Sequence, residues 1–579
     1  MASVDSDGVS FHGVGSHGVD SLGGLNSMLV RSLCLLLVVS QLVMGVATAA
    51  PPVREPAAIV YLSSLEGVLE DFDYIATAGG RPQWSQKVRD FVAHLNNLEG
   101  VDRTQPVGVF AFLPLDFANG KKDPDFVGFL PVTDLEALKK TLQVSQALSL
   151  ESTDKPNRYE FKASGKSYSV QIDQGYALIA ERAELLDQPL PTPASLTSPL
   201  SGQYDLVLQL RKAGVPKLMW DFVMLGALTA SDKELKNLRK SREPVDLLKV
   251  RGIEMGRSAL VSVMGEARSV WVGLRVSRET RNAVVDLKFE FADSGHVSQE
   301  LTHMAESPAS LANSAGSDAP AAVHLHAAIP EVARKLTAEL GRVVRENQDP
   351  TKSIPEPQQT SVNDLLNVVQ QTVDAGEYEV LLQFAGKPQA GMTMVVGVRV
   401  ADGKKLSEAM VKLLPEASHS DKVAAVTLDA GVARDVHFAR IDGRVRDPDR
   451  GDKKVEMFYG GKPSLYVGTD ASTLWMLIGD GDALDDFASL AVESSRTTDR
   501  TAGPAFAQAE MHLSGWLGLL SLAEDKKTRD FTAAARVAVK DPGRDALRLT
   551  IQPQSDGLQF SLTLDEAFLS LIGAAVCQD

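Results

Sequence analysis

Apolar and polar residues alternate along many short stretches of this chain. In Asp205–Arg211 the residues Leu206, Leu208 and Leu210 share one face, and in Val284–Phe291 the residues Val285, Leu287, Phe289 and Phe291 do the same. A period of two with one apolar side predicts strands that bury one face. Between these stretches the period lengthens to that of a helix: Leu65, Val68, Leu69 and Phe72; Leu135, Leu138 and Leu142; Leu406, Met410 and Leu413. Such stripes are spaced to cover a sheet. Turn residues at Gly386-Lys387-Pro388, Gly460-Gly461-Lys462 and Ser555-Asp556-Gly557 predict hairpins, hence antiparallel pairing. An aspartate stands before four predicted helices, at Asp134, Asp293, Asp402 and Asp565, where its side chain can accept from the orphan N–H groups of the first turn.

The elements recur in order. Ala57–Ser63 runs into the first helical stripe, and Ala321–His326 runs likewise into Ile329, Val332 and Leu336. Gln83–Leu98 has its counterpart in Ser361–Val373, and each precedes a hairpin and a further helix. Tyr159–Leu185 (YEFKASGKSYSV, then YALIAERAEL) is matched by Val455–Leu484 (VEMFYGGKPSLYV, then WMLIGDGDAL). Two later pairs begin at Asp205 and Ala505, and at Ser269 and Ala546. A common order at long period is what duplication leaves after drift. The expected fold is α+β: a tandem duplication of two similar halves, residues 57–305 and 321–575, each an antiparallel sheet backed by amphipathic helices. Residues 306–320 read as the linker, and Asp187–Gly202 and Glu346–Gln359 as further linkers rich in Pro, Ser and polar residues. Arg440–Lys454 reads as a charged hairpin tip.

The aromatic strands YALIAERAEL and WMLIGDGDAL, each running into a short acidic helix, resemble uncharacterised exported bacterial proteins of planctomycete type. That resemblance implies a signal peptide followed by repeated sheet-and-helix modules. It carries no catalytic or binding residues.

Length and composition narrow the class. The 579 residues exceed one core, and 44% hydrophobic with 23% charged residues is ordinary for a soluble globular protein. Arg31, the apolar run Leu33–Val46 and the small residues Ala47-Thr48-Ala49 have the order of a secretory signal. The signal is placed at 28–49, with Met28 as its start and residues 1–27 as a non-native or disordered extension. The run is too short, and too interrupted by Ser40 and Gln41, to be retained as a membrane span. The net charge of −16 becomes −14 once Arg31, Asp5, Asp7 and Asp20 leave with residues 1–49. An acidic chain disfavours nucleic acid and anionic membrane surfaces as partners. Only Cys577 then remains, which rules out an internal disulfide and suits an oxidising periplasmic or extracellular location.

Candidate chemistry is sparse. His296, Glu300 and His303 fall on one helical face at offsets of four and seven, with ligand types suited to zinc, yet the spacing is not HExxH. His324 and His326 share one face of a strand; the matching strands carry Gln209 and Arg211, or Glu510 and His512, which reads as a solvent-facing polar row rather than a metal site. Asp480, Asp482, Asp485 and Asp486, and separately Asp447, Asp449 and Asp452, lack the residue order of a calcium loop. Arg450-Gly451-Asp452 is an adhesion tripeptide of the kind that arises by chance. There is no phosphate loop, no nucleophile elbow and no motif context for a catalytic triad. The sequence therefore predicts a non-enzymatic binding or structural protein of the cell envelope, without a required cofactor, whose partner is a protein or small molecule met across a sheet or in a cleft between the halves. A carrier of an apolar ligand and a zinc hydrolase using His296, Glu300 and His303 are the alternatives.

Overall fold

In the computed structural model the alternating stretches form strands that join into one open antiparallel sheet. The structure describes residues 54–576 apart from 114–122, 147, 164, 241–243, 294, 306–310, 312–318, 347–355, 388–390, 445–451, 495–504 and 522–524. The signal, the N-terminal extension, Cys577, most of the 306–320 linker, Asp447, Asp449 and the start of the adhesion tripeptide lie outside the described residues.

The N-terminal wing contributes β1 (Ala58–Leu62), β2 (Val107–Phe112), β3 (Asp125–Pro131), β4 (Glu151–Ser152), β5 (Arg158–Ala163), β6 (Lys166–Asp173), β7 (Tyr176–Ala180), β8 (Leu206–Arg211), β9 (Ala267–Ser277) and β10 (Asn282–Phe291). The C-terminal wing contributes β11 (Ala321–Ala328), β12 (Glu377–Lys387), β13 (Gly391–Arg399), β14 (Val423–Ala433), β15 (Val436–Gly443), β16 (Ser464–Thr469), β17 (Thr473–Gly479), β18 (Ala507–His512), β19 (Ala546–Gln554) and β20 (Gly557–Asp565). From its outer edge inward the first wing pairs in the order β4-β5-β6-β7-β3-β2-β1-β8-β9-β10. The second pairs as β14-β15-β16-β17-β13-β12-β11-β18-β19-β20. Each order is the other with ten added to every strand number. The innermost strands join across the middle, Asn282 opposite Asp565 through Glu290 opposite Gly557. The result is a 20-stranded sheet, roughly 90 Å along its path at about 4.8 Å per strand. A continuous ladder therefore occupies the place where a cleft between halves was expected.

Helices lock the wings as well. Helix Glu566–Val576, which follows β20, packs on helix Leu65–Ala78 of the first wing. The approach is close enough that a Cβ on Gly573 would lie 2.6 Å from the Ile75 carbonyl, so only glycine fits. Reciprocally, helix His296–Ala305, which follows β10, packs on β11, β19 and β20, and Ser298 donates to the Ser555 carbonyl at 2.9 Å.

On one face of the sheet two apolar cores form. Ile59, Tyr61, Phe110, Phe129, Val207 and Trp271 are buried beneath Leu185, Leu186 and helix Pro193–Ser201. Leu381, Val395, Phe438, Tyr466, Trp475 and Leu477 are buried beneath Phe487 and Leu490 of helix Ala483–Ser494. The stretch read as the linker Asp187–Gly202 is thus part of a core lid. Thr192 accepts from the Ser195 N–H and Pro193 opens the helix, a start signal that outweighs the loop-like composition.

Other expectations are also corrected. Asp134 and Asp402 do cap their helices, accepting from the N–H groups of Glu136 and Ala137, and of Lys405. For helix His296–Ala305 it is Glu266 that accepts from the Val297 N–H, while Asp293 pairs with Arg268 at the surface. Asp565 instead accepts from the Ala546 N–H and from Arg548. Val455–Tyr459 belongs to helix Asp452–Tyr459 and is not the counterpart of β5; that role falls to β15. Gly460, at φ 77°, ends this helix in the left-handed conformation that glycine supplies, so Gly460-Gly461-Lys462 is a helix terminus and not a hairpin turn. Within Glu346–Gln359, residues from Glu356 onward already belong to helix Glu356–Asp374. Arg440–Gly443 completes β15.

Candidate functional site

Two features of the first wing have no equivalent in the second. The first lies on the sheet face opposite the cores. Leu206, Leu208 and Leu210 share a face as their alternation predicts, but Leu208 and Leu210 are 39% and 42% exposed, while Val207, pointing the other way, is the buried residue. Val60 (41%), Val109 (39%) and Phe126 (55%) stand on the same side. Register makes them contiguous: Val109, Val60 and Leu208 form one row across β2, β1 and β8, and Phe126, Ala111, Ala58 and Leu210 form the next. Both faces of these strands are apolar, so alternation marks the strands without telling which side faces solvent.

In the second wing the corresponding rows are Leu382, Val323 and Ala509, then Met394, Phe384, Ala321 and Met511. They are half-buried. Phe384 lies edge-on to Phe458, with ring centroids 5.8 Å apart, and to Trp516 at 5.5 Å. Phe458 comes from helix Asp452–Tyr459, inserted between β15 and β16, whereas β5 and β6 are joined by a tight hairpin. Trp516 is held by donating to the Pro320 carbonyl at 3.0 Å.

The second feature is a polar cleft of about 370 Å³ where helix Leu65–Ala78 passes the start of β8 and the end of β9, lined among others by Asp71, Tyr204, Asp205, Arg275 and Arg278. Ser64 caps the helix by accepting from the Gly67 N–H at 2.9 Å, which fixes its first turn over the cleft. Asp71 sits with Val68 and Ile75 at helical spacing, an acid in an apolar stripe, and is only 7% exposed. Its Oδ1 is 3.8 Å from Arg278 Nε, its Oδ2 is sealed from solvent, and the carboxyl shares a hydrogen bond with Asp205. Burial, and then the nearby Asp205 carboxylate, push the Asp71 carboxyl up to about 7, against the pull of Arg278. Asp205 accepts from the Val276 N–H at 2.7 Å, and Arg278 also pairs with Glu70. In the second wing the positions of Asp205, Arg275 and Arg278 are held by Phe506, Gln552 and Ser555. Sequence reasoning missed this cleft; its one local signal was the acid in the stripe.

The residues singled out from the sequence are placed as follows. His296 and Glu300 are exposed on one helix face, 3.8 Å apart, with His303 on the same helix. Among the described residues no group of three or more His, Cys, Asp or Glu side chains is arranged to hold a metal ion. Asp486 turns away from its acidic neighbours to accept from Thr393 at 2.6 Å, and Asp480 accepts from the Asp482 N–H at the helix start. His324 and His326 form no solvent-facing row. Both are buried, their rings stacked 5.6 Å apart, and His324 Nε2 lies 3.0 Å from Oε1 of the buried Glu379. Glu379 Oε1 also accepts from the Leu311 N–H, and its other oxygen is 3.8 Å from Arg399. The polar pattern was right, but the chain that follows β10 covers it at Leu311. His512 is half-buried between Asp545 and Glu510, whose hydrogen bonds raise it to about 9. No helix among the described residues is long and apolar enough to cross a membrane. Compared with known proteins, the chain matches no family model, no curated protein and no solved structure.

Proposed function

We propose that this is an exported, non-enzymatic binding protein of the cell envelope that meets an apolar surface of its partner with the uncovered rows Val109-Val60-Leu208 and Phe126-Ala111-Ala58-Leu210. The observation that carries the reading is that these rows are exposed in one wing while their counterparts are half-buried in the other, where Phe458 and Trp516 pack on Phe384. Contiguous exposed apolar surface is rare on a monomer with no partner for it. We also propose that the wings descend from one duplicated module and that the second serves as the scaffold; the shared strand order supports this. Export rests on the signal-like order of Arg31, Leu33–Val46 and Ala47–Ala49, and the resemblance to exported planctomycete-type proteins stands with it. The partner is a protein or small molecule of the envelope.

The test is native mass spectrometry of the mature protein from its own envelope fraction, beside a Phe126→Ser/Leu208→Ser variant. The expected result is a bound partner on the wild type and none on a variant that melts at the same temperature. A bare wild type, or a variant that keeps its partner, would overturn the proposal. The same open rows would also suit a carrier of an apolar ligand, and a lipid-sized extra mass in place of a protein decides for that reading.

A further inference from the structure

Between β8 and β9 the chain forms two helices, Lys217–Leu238 and Pro244–Glu266, of 22 and 23 residues and so about 33 Å long each. The helices at the same place in the second wing, Leu513–Leu520 and Lys526–Ala538, have 8 and 13 residues. The long pair is tied together: Trp220 donates to the Met264 carbonyl at 3.2 Å, Asp232 pairs with Arg257, and Arg239 with Glu254. It joins the body at its base, where Val263 packs with Phe289 and Leu558. One face of the first helix is exposed from base to far end. Leu218, Phe222 and Leu225, which are 55%, 43% and 60% exposed, open a succession of three- and four-residue steps that passes through Asp232 and ends on the exposed Lys236 and Lys240. This face is apolar near the base and cationic toward the end.

The far end reverses the sign of the molecule. Residues 236–251 carry Lys236, Arg239, Lys240, Arg242, Lys249 and Arg251 against Glu243 and Asp246, a local charge of +4 in a chain of −16. Arg239 is paired with Glu254 and Lys249 with Asp246. The exposed Lys236, Lys240 and Arg251 make no hydrogen bond or ion pair among the described residues. Salt screens exposed charges beyond about 10 Å, so a partner touching this end meets the basic cluster rather than the acidic whole.

We propose that the exposed face of this helix pair docks on an anionic lipid bilayer, with the basic end at the headgroup phosphates and Leu218, Phe222 and Leu225 entering the boundary beneath them. Two separate observations select this partner: charge complementarity at the end, and large apolar side chains left exposed on the same helix face. A bilayer supplies negative charge and an apolar layer side by side, and it asks for no matching concavity on either partner. The long stems of Lys and Arg let their heads stay among the phosphates while neighbouring apolar groups sink. The pair lies on the membrane and does not cross it, since neither helix is long and apolar enough to span. The surface is separate from the rows Val109-Val60-Leu208 and Phe126-Ala111-Ala58-Leu210, so its fate does not depend on theirs.

The experiment is flotation of the full mature protein with vesicles of phosphatidylcholine alone and of phosphatidylcholine with about one-third phosphatidylglycerol, in low and high salt. The protein should bind the anionic vesicles in low salt, and bind at least about tenfold more weakly without phosphatidylglycerol or in high salt. Lys236→Glu/Lys240→Glu/Arg251→Glu should lose at least about tenfold, whereas Lys404→Glu/Lys412→Glu/Lys462→Glu, an equal change of charge at exposed positions of the second wing, should bind as the wild type does. Phe222→Ser/Leu225→Ser should weaken binding about tenfold while melting at the wild-type temperature, because both side chains are already exposed. No binding to anionic vesicles, equal binding to both kinds, or equal loss in the two charge variants overturns the inference. Loss in Phe126→Ser/Leu208→Ser with none in the helix-pair variants would give the membrane contact to the open rows, and overturns it as well.

Discussion

The two wings share a strand order and differ in what lies on top of it. In the C-terminal wing a short inserted helix lays Phe458 on the sheet face opposite the core, Trp516 packs with it on Phe384, and the rows there are half-buried. In the N-terminal wing the corresponding connection is a tight hairpin and the rows stay open, while a charged cleft appears where the other wing has Phe506, Gln552 and Ser555. One arrangement of strands thus supports a partly covered lobe and an open one. The difference resides in connections and side chains, which can change without disturbing the ladder.

The largest effect should come from the shared ladder itself. Phe110→Ala empties a fully buried position and should cost about 3–5 kcal/mol. Because β10 pairs β20 and the terminal helices cross over, scanning calorimetry should show one transition moving down as a whole. Two transitions, with only one displaced, would mean that the wings fold independently. Next, Phe458→Ala should uncover the second wing at a cost of roughly 2 kcal/mol and raise its binding of a hydrophobic dye toward that of the first. Unchanged dye binding would mean that the insertion does not make the difference between the wings.

A smaller effect, with a sign that depends on pH, is expected at Asp71. Its folded value of about 7 lies above the ordinary aspartate value, so the folded state holds a proton that the unfolded state gives up. Stability contributed by this group is therefore present at acidic pH and falls as pH rises through the window from about 4 to about 7. Asp71→Asn should stabilise the protein by at least about 1 kcal/mol at pH 8 and change little at pH 4, read from melting temperatures. Equal effects at both pH values would show that burial does not hold the proton there. The smallest effect belongs to the open rows. Leu208→Ser should alter stability by no more than about 0.5 kcal/mol, whereas Val207→Ser, one residue away and buried, should cost several times that.

Much of this was legible where one residue type has one physical use. Asp134 and Asp402 sit before helical stripes and do cap them. The alternation in β8 and β10 found the strands and matched their order, but it could not choose a face, because Val207 and Leu208 are equally apolar and only the covering segments decide between them. Those segments were the hardest to read. Pro193–Ser201 has the composition of a loop and folds as a lid, and Gly460-Gly461 fits a hairpin as well as the helix end that it is. His324 and His326 were correctly paired on one side of a strand and wrongly given to solvent, since Glu379 and Leu311 come from distant chain. The cleft was invisible for the same reason: Asp71, Asp205 and Arg278 are far apart in sequence, and only the stripe containing Asp71 hinted at it.

An antiparallel sheet of this width presents the problem of where to stop. Joining the wings through β10 and β20 buries both inner edges in one ladder and leaves β4 and β14 as the outer strands of the described sheet. β4 is two residues long. β14 departs from regular pairing between Val423 and Ala425 and again between Thr427 and Gly431, and carries Asp429 on that stretch. Short, bulged and charged edges are poor templates for another chain. A surface that could recruit copy after copy into a growing ribbon is thereby blunted at both ends, and the molecule can expose apolar rows on its flat side without polymerising through its rim.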